Sequence, residues 1–95
     1  MYVVTVVFDA KPEHVFRFRA AMLANAQVSR ESEPGCRQFD VCVEADAGST
    51  FLYEVYDDRA AFEAHLAAAH FIAFDGAVRG WIARKDVRSY ERIAP

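Results

Sequence analysis

The chain has 95 residues, of which 54% are hydrophobic and 14% aromatic, eight of them Phe, and it carries a formal net charge of −3. A single domain of this length has only a marginal core, and so much apolar side chain exceeds what its interior holds, which points to association with another chain. Acids and bases are interspersed without the basic stripe a nucleic-acid partner needs, and no apolar run approaches the roughly 18–20 residues that span a membrane.

The opening YVVTVVFD (2–9) is β-branched and aromatic and predicts a first strand. The segment MYVVTVVFDA lacks the basic start and small-residue cleavage site of a signal peptide. Pro12 suits the first turn of a helix, where its missing N–H costs nothing. Val15, Phe18, Met22, Ala26 and Ser29 follow at steps of three and four, an amphipathic helix reaching about Glu31. Glu33-Pro34-Gly35 stops it, because the residue before proline avoids the helical region. CRQFDVCVE (36–44) alternates Phe39, Val41 and Val43 with Gln38, Asp40 and Glu44, the period of a strand. Its two cysteines, Cys36 and Cys42, stand on the order of 20 Å apart along that strand, beyond the roughly 7 Å a disulfide spans. There is no C-x-x-C pair for a zinc ribbon or redox centre. These features lead us to expect a soluble, reduced, cytoplasmic protein.

Ala45 to Ser49 forms a turn, and TFLYEVY (50–56) a third strand. Asp57 or Asp58 caps a helix from about Arg59 to Ala69. A second helical segment places Phe71, Phe74, Val78 and Trp81 at helical spacing, and KDVRSYERI (85–93) forms the last strand. The order β-α-β-β-α-β, with the second helix broken, predicts one α+β domain over residues 1–95, a ferredoxin-like sandwich. Val3 and Val7 oppose Tyr2, Val4, Val6 and Phe8, and Phe51, Tyr53 and Val55 oppose Leu52 and Tyr56, so both faces of the sheet are apolar. Helices cover one face only. A second copy of the sheet would cover the other, giving a two-fold dimer with a barrel-like interior; a monomer with an apolar face is the alternative.

Three stretches, NAQVSRESEPGCRQFDV (25–41), FLYEVYDDRAAFEAH (51–65) and HFIAF (70–74), together resemble the antibiotic-biosynthesis-monooxygenase domain family of small dimeric α+β barrels. The nearest members are quinol-monooxygenase-like proteins and the autoinducer-2 phospho-dione isomerase. The resemblance implies a dimeric α/β barrel with a substrate pocket between sheet and helices in each subunit, and, as in many oxygenase members, no metal or organic cofactor. In such members a base takes a proton from a phenol or quinol and the electron-rich anion reacts with O2, while the protein supplies position and polar stabilisation.

His65 shares the core-facing side of its helix with Ala61 and Phe62. An imidazole there is a natural general base, or else a packed histidine satisfied by a neighbouring group. The family's tyrosine–glutamate pair on strand 3 and histidine on the next helix match Tyr53, Glu54 and His65. Glu54, mid-strand among Tyr53, Val55 and Tyr56, must be paired, protonated or functional. It would orient His65, act as an acid/base itself, or bridge to Arg37 or Arg88. Asn25 and Ser29 end the apolar stripe of the first helix, where the core opens to a cavity or to solvent, and the Asn25 amide suits an oxyanion.

His70, at the helix break, is a secondary candidate, and His14 is expected in solvent. Phe39, Tyr56, Phe71, Phe74 and Trp81 are the candidate aromatic lining for a planar hydroxylated ring, while Arg37 and Arg84 read as surface. His65 and His70 are five apart and diverge on a continuous helix, without the geometry of a helical zinc motif, so no metal is expected unless a break in the helix brings the two together. The scattered Gly35, Gly48, Gly76 and Gly80 form no phosphate or dinucleotide loop. Haem-degrading relatives need an Asn on strand 1, which reads YVVTVVF here, and a Trp where His65 stands. The expectation is a cofactor-independent, homodimeric monooxygenase of a small quinol or polyphenol, with His65 as base, Glu54 orienting it and Asn25 as oxyanion donor. The alternatives are an isomerase of a small (phospho)hydroxy-dione and a non-catalytic small-molecule-binding dimer.

Overall fold

The computed structural model describes residues 1–45 and 48–95. Strand β1 (Tyr2–Ala10) leads through a short 3-10 turn at Pro12–His14 into helix α1 (Val15–Ser32). Strands β2 (Cys36–Val43) and β3 (Thr50–Tyr56) follow, then helices α2 (Arg59–Ala67) and α3 (Ala69–Val78), a 3-10 turn at Arg79–Trp81, and strand β4 (Ile82–Glu91). Residues 46 and 47 of the expected turn lie outside the described residues. The sheet order is β2-β3-β1-β4 with every pair antiparallel, the α+β ferredoxin-like arrangement the element order predicts. The last strand begins at Ile82 rather than Lys85, because Ala10 pairs with Ile82 across a bulge at the end of β1. No helix among the described residues is long and apolar enough to cross a membrane.

The core lies between one face of the sheet and the helices. Val4, Val6 and Phe8 of β1, Leu52 and Tyr56 of β3 and Phe39 of β2 meet Phe18, Met22 and Ala26 of α1 and Phe74 and Val78 of α3. Phe18, Met22 and Ala26 recur every four residues, so one side of α1 enters the core. Burying a Phe or Met side chain of this kind contributes roughly 1.5–3 kcal/mol. On the opposite face Val3 pairs with Val55, Thr5 with Tyr53 and Val7 with Phe51, and Phe51 and Tyr90 are exposed.

Two local contacts set the position of α2. Asp58 Oδ1 accepts the Ala61 N–H at 2.8 Å, so Asp58 rather than Asp57 is the cap. Gly35 lies so close to α2 that a β-carbon on it would stand 2.5 Å from Ala61 Cβ. The turn after α1 is thereby pressed against the first turn of α2. The expectation for His14 is corrected: its ring is half-buried and stacked on Trp81, with 6.0 Å between centroids.

Candidate active site

Between the sheet and the helices lies a cavity with about 400 Å³ of empty space, its open mouth included. Its walls are apolar and aromatic, with Phe8, Phe39, Phe62, Phe71 and Phe74 among them, and four polar side chains interrupt them: Asn25, Glu54, His65 and Lys85. β3 turns Glu54 inward because its even-numbered residues face the helices, as Leu52 and Tyr56 also do. Tyr56 donates its hydroxyl hydrogen to Glu54 Oε1 at 2.5 Å. Burial nevertheless outweighs that bond and raises the Glu54 pKa from 4.5 to about 7. The Tyr56 phenol, with no exposed surface, is pushed far above its ordinary value by burial and then by Glu54.

His65 is buried against the rings of Phe71, Tyr56 and Phe39, at centroid distances of 4.9, 5.5 and 5.9 Å. Its Nδ1 lies 2.8 Å from Glu33 Oε2 and 3.1 Å from Oε1. Burial lowers the imidazole pKa, and Glu33 opposes that shift. A neutral ring donating Nδ1–H to the carboxylate keeps its lone pair on Nε2. Asn25 is buried, and its Oδ1, an acceptor, has no hydrogen-bond partner among the described residues. Lys85 reaches the mouth from β4, with Nζ 5.4 Å from the Phe8 ring centre and 4.0 Å from Asp75.

The expected grouping is thus revised at several points. The carboxylate that orients His65 is Glu33, not Glu54. Glu54 makes no bridge to Arg37 or Arg88, which pair with Asp57 and Asp86. Phe39, Phe71 and Phe74 line the cavity, whereas Tyr56, Ser29, His70 and Trp81 do not. Tyr56 lies behind Glu54, and Trp81 is held at the far end of α1 under the Arg17 guanidinium, 5.6 Å from its ring centre. Ser29 and His70 sit on the other side of His65, with Ser29 Oγ 3.1 Å from His70 Nε2. His70 comes there because Ala68 takes an extended conformation (φ −69°, ψ 140°) between α2 and α3, so a separation of five residues does not part the two rings. Arg84 is exposed beside Asp9.

Absent from the sequence-based set are Glu33, which orients His65, and several lining residues, Phe8, Phe62, Leu66 and Lys85 among them. Phe62 was legible in its helical spacing with His65. Glu33 was legible only as part of a helix stop, since nothing local marks a carboxylate as the partner of a side chain 32 residues away.

The sheet order, the helices on one face and the open-mouthed cavity with its buried histidine define a ferredoxin-like α+β protein built around a small-molecule pocket. The chain belongs to the antibiotic biosynthesis monooxygenase family, which it matches over residues 1–76. It is 31% identical over 67 residues to the Mycobacterium tuberculosis (strain ATCC 25618 / H37Rv) protein named "Putative monooxygenase Rv0793", covering 70% of this chain and 65% of that protein's length. Among solved structures, the "Putative antibiotic biosynthesis monooxygenase from Nitrosomonas europaea" superposes with a TM-score of 0.93 at 30% identity, over 99% of this chain and 100% of that one. The structure of Rv0793 from Mycobacterium tuberculosis also gives a TM-score of 0.93, at 26% identity over 99% and 96%.

Proposed function

We propose that the chain is a monooxygenase that uses O2 to oxidise a small quinol or polyphenol, with the substrate rather than a bound cofactor supplying the electrons. The observation that carries this reading is the cavity, whose apolar walls hold Asn25, Glu54 and Lys85 together with a histidine, His65, oriented by Glu33. His65 Nε2 takes the proton of a substrate hydroxyl, and Glu33 stabilises the imidazolium. The Asn25 Nδ2–H and the Lys85 ammonium donate to the resulting anion and hold it in the cavity. A ring carbon of that anion bonds to O2. The O–O bond then breaks, one oxygen leaves as water, and the other stays on carbon in a hydroxylated quinone. Two electrons come from converting quinol to quinone and two from replacing C–H by C–OH, which balances the four that O2 accepts. Glu54, titrating at about 7, takes the proton lost from the ring carbon and returns it to the departing oxygen.

In this reading the active form is a cytoplasmic homodimer, with the helix-free sheet face covered by a second copy. Turnover under ¹⁸O-labelled O2 with reduced naphthoquinols and benzoquinols should place one labelled oxygen in the product. A product without label overturns the oxygenase assignment. The pairing of two proton carriers, Glu54 and His65, in one cavity also favours a second reading, a proton shift between adjacent carbons of a hydroxy-dione. That reaction would proceed without O2.

A further inference from the structure

On the side of His65 turned away from the cavity, four donor atoms from three segments converge. His65 Nδ1 and His70 Nε2 lie 2.8 and 2.7 Å from the same carboxylate oxygen, Glu33 Oε2. Ser29 Oγ lies 3.5 and 3.1 Å from those two nitrogens, and one donor atom from each of Glu33, His65 and His70 falls within 4.8 Å of the other two. The His65, Glu33 and His70 side chains are only 3%, 12% and 21% exposed, and Ser29 has no exposed surface.

We infer that Glu33, His65 and His70 form a binding site for a divalent transition metal, Zn2+ foremost, with the Ser29 hydroxyl or a water as fourth ligand. Ligand atoms of a tetrahedral zinc with bonds of about 2.0–2.1 Å stand roughly 3.3 Å from one another. The contacts here, at 2.7–3.5 Å, bracket that spacing. The two imidazole nitrogens also lie within 4.8 Å of each other, so a cation replacing the shared protons needs only to draw the same side chains together. Two imidazoles and one carboxylate select zinc and its transition-metal neighbours over magnesium or calcium, which prefer all-oxygen shells. The backbone is arranged for it: the Ala68 break brings His70 to His65, and the turn after α1 brings Glu33 to both.

The site has a consequence for the proposed reaction, and that consequence alone rests on the functional reading above. A metal on Nδ1 takes the lone pair there, so the remaining ring proton sits on Nε2. His65 then faces the cavity as a donor instead of a base, and the metal-loaded protein is inhibited.

The test uses the full chain stripped by a chelator and titrated with Co2+, then with Zn2+. One equivalent of Co2+ should bind and give the intense visible absorption of four-coordinate cobalt, and Zn2+ should displace it. His70→Ala, at a partly buried position and checked for native circular dichroism, should weaken binding by more than the roughly 10–100-fold that losing a group hydrogen-bonded to a ligand costs. Glu33→Gln should do the same, whereas Cys42→Ser, which removes the exposed thiol, should leave binding unchanged. The inference is overturned by the absence of stoichiometric binding, or by binding that survives in folded His70→Ala. Neither result bears on oxygen uptake by the metal-free protein, so this inference and the functional reading fail separately.

Discussion

Glu54 carries the most perturbed carboxyl of the cavity, and its effect on stability has a definite sign. Its folded pKa of about 7 lies above the ordinary 4.5, so between those values the native protein holds a proton that the unfolded chain has released. Stability falls as pH rises through that window, and the loss is complete above it. A difference of this size is on the order of 3 kcal/mol. Glu54→Gln keeps an acceptor for the Tyr56 hydroxyl and removes the ionisation. Urea denaturation from pH 5 to 8 should therefore show the wild type losing stability that the variant retains; parallel profiles for the two would contradict the assignment. His65 works in the opposite direction. Its pKa is lowered by burial, so it contributes a loss of stability as pH falls through the ordinary imidazole range. Both residues were visible in the sequence because each is polar in an apolar pattern. Their partners were not: Tyr56 looks like any core aromatic, and Glu33 like any acidic residue near a helix end.

At the scale of elements, the site depends on how α2 is set against the turn that carries Glu33. Gly35 permits that contact, since a β-carbon there would meet Ala61 Cβ at 2.5 Å, and neither atom belongs to a flexible chain that can move aside. Gly35→Ala should force the turn and α2 apart, destabilising the fold by about 1–3 kcal/mol and lengthening the Glu33–His65 hydrogen bond. The checks are the denaturation midpoint and the His65 ring shifts by NMR. An unchanged midpoint with unchanged ring shifts would show that the turn is not so constrained. The same junction explains what periodicity revealed and what it concealed. The break between α2 and α3 was legible because the apolar pattern changes phase near His70. Its outcome was not, because a single extended residue, Ala68, decides whether the two histidines diverge or converge.

For the whole molecule, element order and strand alternation were enough to predict the architecture, since each strand's period and each helix's stripe agree with one βαββαβ arrangement. They also predict two apolar sheet faces, of which the helices use one. Sedimentation at micromolar concentration should give a dimer, and Tyr53→Glu together with Phe51→Glu on the outer face should give monomers; a wild-type monomer would contradict the paired-sheet reading. The central claim is that the cavity carries out oxygenation through His65. Its most direct test is oxygen uptake by metal-stripped protein with a panel of reduced naphthoquinols and benzoquinols, corrected for autoxidation, beside His65→Ala. The account predicts uptake above the blank that falls by about 10²–10⁴-fold in the variant, the usual range for a lost general base. Uptake that His65→Ala leaves unchanged would contradict it.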